Sequence, residues 1–472
     1  MAHQSHGGLP LLHQVEEIEK KLRDQIGLRL EAWPVLILGL SLLVVAFIFM
    51  PGVVSYALSM ALFLAPVWLP FLLVGGAWEM WIVLKRSEFI WNKKYILLEI
   101  KPPRNLVKTP LAMEAFLSTL HLTGGEAVWW ARLKGGTRPF FSLEIASLEG
   151  QVHFFIWGRE EMRRIIESQM YAQYPGVQIT EAPDYTRMIS AKSSEYTVWG
   201  CDFTHTAADK DPLPIKTYVE YGLDKVQEEP EQVDPLSNLV EFMGSIGKGE
   251  YLWLQFIIRA HRGEKYGTSP ANNGSTRKNA AGKGYTWKDQ AKELIEEIRE
   301  ATRQPYTDPA TGEERPGFPS PTKGQAEMIA AIERNTSKLA FDVGARGIYI
   351  AKPENAVGIT IGHLISLFKP FTSEGWNGIT SGGWMKTFDD YPWEIGVEKK
   401  KEHYRHELVE AFRRRQFFYN PFYAGGKKMK DAMVMSTEEL ATIYHIPSQS
   451  TASPALARTA STTGEAPPDL PI

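Results

Sequence analysis

One stretch breaks the mixed apolar and polar patterning seen along most of the chain: between Trp33 and Leu84 the only charged residue is Glu79. About 20 apolar residues cross a bilayer core, so the stretch has room for two membrane spans. The turn signal Met50-Pro51-Gly52 divides it into expected spans at Trp33–Met50 and Val54–Gly76. A secretory signal would be shorter and would start earlier. Lys20, Lys21, Arg23 and Arg29 precede the stretch, Lys85, Arg86, Lys93 and Lys94 follow it, and the connecting turn has no Lys or Arg. The positive-inside tendency then places both termini in the cytoplasm, with the protein in an inner (cytoplasmic) membrane as a two-span chain. Trp33, Trp78 and Trp81 are suited to interfacial anchoring, and Pro66 and Pro70 are expected to kink the second span. Glu79 reads either as a buried functional acid or as a residue at headgroup level.

Ahead of the spans, in a leader over 1–32, Leu11, Val15, Ile18, Leu22 and Ile26 recur at helical spacing. That amphipathic helix suits a membrane surface, a short coiled coil or packing on the chain's own cytoplasmic part. After the spans, the periodicities of 90–185 predict strand Tyr95–Lys101, a helix after Thr109-Pro110, and strands Phe140–Ser147 and Val152–Trp157 joined by a tight turn. Helix Glu160–Tyr174 and strand Val177–Ile179 follow. The order is a split βαβ unit. Residues 190–370 predict a second such unit, with strands at Tyr196–Thr204, Ile215–Val219, Tyr251–Ala260 and Leu339–Ala351. Its helices are expected to start at Asp234-Pro235 and to close over Pro353–Phe368. An insertion over 262–322, with a charged helix near Trp287–Arg303, reads as a contact arm. The fold expected is therefore α+β, a transmembrane helical hairpin (33–84) followed by two ferredoxin-like units. A helical and irregular region (371–446) comes next, with helices at Glu398–Arg415 and Ser436–Tyr444, and then a disordered tail (447–472).

Composition narrows the chemistry. Lys+Arg 52 against Asp+Glu 55 leaves a net charge of −3, which excludes a globally basic nucleic-acid binder. The single cysteine, Cys201, excludes a disulfide scaffold and a cysteine-held zinc or iron–sulfur site. A P-loop needs GxxxxGK[ST], and the Gly-Lys pairs at 247, 282 and 426 lack both its first glycine and its final hydroxyl. His403, His406 and Glu407 share a charged helix but match no zinc motif. No catalytic residue and no cofactor is assigned, and the expectation is a non-enzyme. Strand Val152–Trp157 sets His153, Phe155 and Trp157 on one face, a pattern that fits burial on both faces better than base stacking. Two basic groups, Arg413, Arg414 and Arg415, then Lys427 and Lys428, are candidate phosphate or lipid contacts.

Four stretches together resemble the membrane-proximal, non-motor half of bacterial conjugation and type IV secretion ATPases. They are the N-terminal apolar hairpin, Leu117–Glu126 (LSTLHLTGGE), Asp234–Arg259 (DPLSNLVEFMGSIGKGEYLWLQFIIR) and Ser436–Ser448 (STEELATIYHIPS). In those relatives a P-loop motor follows the last stretch, whereas here no position matches the ATP-binding residues. The resemblance implies a non-catalytic, membrane-anchored scaffold of a type IV secretion-like or DNA-transfer assembly. A P-loop ATPase encoded separately would dock on it. Separately from the resemblance, a homo-oligomer is among the expected partners, as is the lipid bilayer. Ser436, Glu438, Glu439 and Leu440 are the candidate partner contacts. The alternative is a membrane-tethered nucleic-acid binder using the basic groups near 413–430.

Overall fold

The computed structural model describes residues 39, 41–42, 44–45, 47–103, 106–126, 129–189, 195–225, 233–263, 285–307, 314–382, 396–419, 432–448 and 455–459. The leader, Lys427 and Lys428 lie outside them. Helices α1 (Pro51–Phe63) and α2 (Ala65–Trp91) precede strand β1 (Tyr95–Lys101). Helices α3 (Leu111–Thr119) and α4 (Trp129–Leu133), strands β2 (Phe140–Leu148) and β3 (Gln151–Arg159), helix α5 (Arg163–Gln173) and strand β4 (Gln178–Glu181) follow. Next come β5 (Thr197–His205), α6 (Pro235–Gly244), β6 (Glu250–Ala260) and α7 (Trp287–Ala301). After the hairpin β7 (Arg303–Thr307) and β8 (Glu314–Pro319) come α8 (Lys323–Ser337), β9 (Ala340–Ala351), α9 (Gly358–Ser366) and β10 (Ile379–Gly382). Helix α10 (Val397–Arg413), strand β11 (Met433–Ser436) and helix α11 (Thr437–Ile443) close the series.

The class is α+β, built on one antiparallel sheet of nine strands in the order β10-β5-β9-β6-β2-β3-β1-β4. The ninth, β11, pairs with Ala340–Val343 of β9, beyond the part of β9 that β5 covers. Each half runs through its strands in the sequence fourth, first, third, second. The halves join where β2 meets β6, in register from Phe140↔Arg259 to Leu148↔Tyr251. Hairpin β2–β3 turns on Glu149 (φ 53°) and Gly150 (φ 91°), two left-handed residues that match the strands' twist. A side chain on Gly150 would stand 2.7 Å from the Ile246 carbonyl oxygen.

Alternation along the strands sends residues to two cores. Ile96, Leu98 and Ile100 of β1 and Val152, Phe154 and Ile156 of β3 join one cluster with α3, α5, α6, α9 and α11. Leu97, Phe155 and Trp157 face the other, under Leu408, Val409 and Phe412 of α10 and Phe417–Tyr419. Both faces of β3 are therefore covered, which explains its continuous apolar reading.

Several boundaries differ from expectation. The chain breaks at Met50 and again at Leu64, each just ahead of a helix with proline in its first turn, where the missing N–H costs nothing. The expected span Val54–Gly76 is thus divided between α1 and α2, and among the described residues only α2 is long and apolar enough to cross a membrane. Of the expected span Trp33–Met50 only residues within 39–50 are described. Ile215–Val219 is not a strand, because its N–H groups go elsewhere. Ile215 donates to Glu439 Oε1 and Tyr218 to Thr442 Oγ1 (3.1 and 3.0 Å), side chains of α11. The insertion holds the hairpin β7–β8 as well as α7, and α7 packs on α8 through Ala291, Ile295, Ile329 and Ile332. The tail is ordered at 455–459: Leu456 is buried beside Val152, Val152 N donates to Ala455 O and Ala457 N to Val152 O.

Leu254 of β6 is fully buried on the strand that joins the halves. Leu254→Ala is expected to cost about 2–5 kcal/mol of unfolding free energy, measured by denaturant titration of the detergent-solubilised chain. A loss below about 1 kcal/mol would show a join that packs loosely.

Candidate functional site

Helix α2 leads into β1 after only Asn92-Lys93-Lys94. Over its first turns the apolar side chains are uncovered, with Val67, Leu73, Val74 and Met80 all exposed. Toward its end Ile82 is buried and Ile90 packs on the second core. The point of closest approach is Gly135 (φ 74°), where an added Cβ would lie 2.2 Å from the Lys85 carbonyl and 2.6 Å from Arg86 N. Only glycine lets the helix backbone rest there.

Beside this junction opens a cavity of about 430 Å³, lined by Trp91 and Lys93, by Tyr95 and Trp157, and by residues 413–419. Tyr95 and Trp157 stack at 4.3 Å and 5°. The cavity gathers the expected basic group, but the structure spends two of its three arginines internally. Arg415 is buried at φ 51°. Its guanidinium donates to Glu144 (2.9 and 3.2 Å) and to Asp184 (2.7 and 3.0 Å). Glu144 also accepts from Tyr185 Oη (2.8 Å) and Gln255 Nε2 (3.0 Å). Burial disfavours the charge on Asp184, yet Arg415 outweighs it and holds the carboxyl below its ordinary range. Arg413 donates to Thr186 O (3.1 Å), Ile189 O and Glu410. Arg414, 52% exposed and 3.3 Å from Glu410, remains open to solvent.

Residues 415–419 form a strap across the buried arginines of the central strands. Arg259 lies 4.5 Å from the Phe418 ring and 2.8 Å from Asp342 Oδ2, while Arg346 lies 5.7 Å from Phe417. Arg138 donates to Glu126 (3.0 Å), which also accepts from Tyr419 Oη (2.6 Å). Phe417 fits flat on β9 only because residue 344 is glycine, where a Cβ would fall 2.3 Å from the ring. Such guanidiniums are stable in the interior because each has a carboxylate or carbonyl partner, and Arg259 and Arg346 a ring face as well.

The candidate partner contacts are not at the surface. Ser436, Glu438, Glu439 and Leu440 are all buried. Ser436 and Glu439 form the expected capping box, at 3.2 and 2.9 Å. Burial pushes the Glu439 carboxyl up to about 8. Glu438 instead meets Lys338 (2.8 Å), Arg334 (3.1 Å) and Thr217 (2.6 Å), which overcome its burial and lower its pKa. The acids of this helix hold the chain's own segments together.

Among the described residues no group of three or more His, Cys, Asp or Glu is placed to hold a metal. His403, largely exposed, pairs with Glu407 at 3.2 Å. The residues that sequence reasoning passed over are Glu144, Asp184 and the strap Gln416–Tyr419. A charged residue in the apolar run Phe140–Leu148 was the available sign, since a buried carboxylate demands a partner.

Arg415→Met should cost about 3–5 kcal/mol at neutral pH, because Glu144 and Asp184 would be left buried without their cation. The lowered carboxyl contributes stability above its unfolded pKa and loses it as pH falls through the folded one. The deficit of the variant should therefore shrink toward pH 3, and an equal deficit at pH 7 and 3 would assign it to packing alone. Gly135→Ala should raise tryptic cleavage after Lys93 and Lys94 roughly tenfold, the effect of about 1.4 kcal/mol on local opening. Unchanged digestion would show that the helix end is not held there. No curated protein and no solved structure matches the chain. The chain matches, over residues 90–459, the model of a family described as a domain of unknown function (DUF8128), and it belongs to that family.

Proposed function

We propose that the chain is a non-catalytic, membrane-anchored scaffold of a type IV secretion-like or DNA-transfer assembly, on which a separately encoded P-loop ATPase docks. The observation that carries this reading is the junction at Gly135: a helix with uncovered apolar side chains rests on the backbone there and runs into the sheet after three residues rather than through a long linker. A platform needs that coupling, since load on the cytoplasmic part is then borne by the membrane helix. Uncovered apolar surface of this extent calls for lipid or a partner. On this reading the apolar stretch Trp33–Leu84 supplies two spans in an inner membrane, α2 contributing to the second, with 90–472 cytoplasmic.

Three of the four stretches behind the resemblance lie together in space, which supports treating those three as one functional unit. Asp234, which caps α6, sits 3.1 Å from His445, and His121 sits 3.1 Å from the carbonyl of Ala340, the sheet partner of Ser436. The strand order repeated in β4-β1-β3-β2 and β10-β5-β9-β6 supports reading two ferredoxin-like units joined at β2–β6, although the edge strand of the second, β10, lies at Ile379–Gly382, beyond the expected unit 190–370 and within the stretch expected to be irregular.

The test is extraction of the tagged full chain from its native membrane in mild detergent, with identification of what elutes in stoichiometric amount. A P-loop ATPase is the expected companion. Elution of the chain alone, or with soluble metabolic enzymes only, would remove the assembly reading.

A further inference from the structure

On the side of α2 away from the strap, its last turns and helix α4 enclose a groove of about 630 Å³. Its lining repeats one arrangement three times. Lys85 Nζ lies 5.2 Å from the Trp81 ring, Lys134 Nζ 5.4 Å from Trp130 and Lys93 Nζ 5.5 Å from Phe89. Trp81 and Trp130 are about half exposed, and Lys134 is exposed. Two carboxylates face the group: Glu88 at 2.8 Å from Lys85 and Glu161 at 3.0 Å from Lys93. The groove shares Phe89 and Lys134 with a second hollow, where Arg159 is buried and its Nε has no hydrogen-bond partner.

We propose that this groove holds the headgroup of an anionic phospholipid, its phosphate set against Lys85 and Lys134. Charge complementarity selects the anion: three ammonium groups converge on one groove at the end of an uncovered apolar helix, and two have a single carboxylate each. The ring beneath each ammonium suits the membrane–water boundary, where tryptophan lies with its indole among headgroups. Trp81 and Lys85, one turn apart on α2, set the depth of that boundary. The acyl chains then run along Val74 and Met80, which are otherwise uncovered. Arg159 lines the adjoining hollow, 3.6 Å from Glu161, and adds its charge to the positive field beside the same headgroup.

The proposal rests on α2 lying in a bilayer, and the experiment separates the two. The full chain is reconstituted into nanodiscs of phosphatidylcholine alone or with phosphatidylglycerol, and lipids retained after detergent extraction are counted by native mass spectrometry. About one phosphatidylglycerol per chain should be retained in preference to phosphatidylcholine. Lys85→Gln and Lys134→Gln should each weaken retention about fivefold, the order of one surface charge against an anionic lipid. Lys85→Arg and Lys134→Arg should keep it. Equal retention of the two lipids, or full retention by the double Gln variant, overturns the proposal. Displacement of the lipid by millimolar inorganic phosphate makes the groove a soluble-anion site and overturns it too. A chain that fails to enter either disc refutes the membrane reading itself, and the proposal with it.

Discussion

The pairing of β2 with β6 is the constraint from which the rest of the architecture follows. Nine cross-strand pairs make one sheet out of two halves, and both strands are buried on both faces. At its centre two polar residues, Glu144 and Gln255, stand opposite each other. That carboxylate cannot be left alone, so it fixes Arg415 above the seam, and Gln255 fixes the carbonyl of Phe412. Through those two bonds the end of α10 and the start of the strap are located over the join. The cavity beside α2 is the space they leave.

A register slip at this seam would be ruinous. It would turn Glu144 toward the apolar core and every neighbouring side chain with it. The buried ions therefore specify the arrangement more than they stabilise it, since making such a pair gains little net energy while breaking one costs several kcal/mol. The same logic explains Arg138–Glu126 and Arg259–Asp342, in which each charge comes from a different strand or loop. Aromatic rings of the strap exclude water from the pairs and so strengthen them.

The strands were legible because the alternation was strong: Tyr95–Lys101 is found as read, and Phe140–Ser147 and Val152–Trp157 within two residues at either end. The turn at Glu149-Gly150 and the capping box at Ser436 carry local chemistry that no tertiary contact overrides. Helix α8 was missed, although Thr322 and Gln325 form a capping box and Met328, Ile329 and Ile332 share a face. Ile215–Val219 looked like a strand because apolar spacing cannot report that its amides bind side chains 224 positions away. The exposure of Ser436–Leu440 was misjudged for a related reason. Two glutamates in a short helix suggest solvent, but Lys338, Arg334 and the amide of Ile215 are brought to them only by the fold. The basic run 413–415 likewise read as a surface until its acids arrived from β2 and from Asp184.

Helix α11 and residues 455–459 sit among elements made much earlier. Thr437 reaches Glu114 across 323 positions. At ribosomal rates of about 5–20 residues per second, α11 emerges roughly 15–65 seconds after α3. For that interval the first half has its strands while the cleft that α11 fills stands open. Long-range closure of this kind makes folding slow and leaves sticky surface waiting. The chain's vulnerable period is thus its own synthesis, and a partner or chaperone that shields the cleft of α3 acts before the protein is complete.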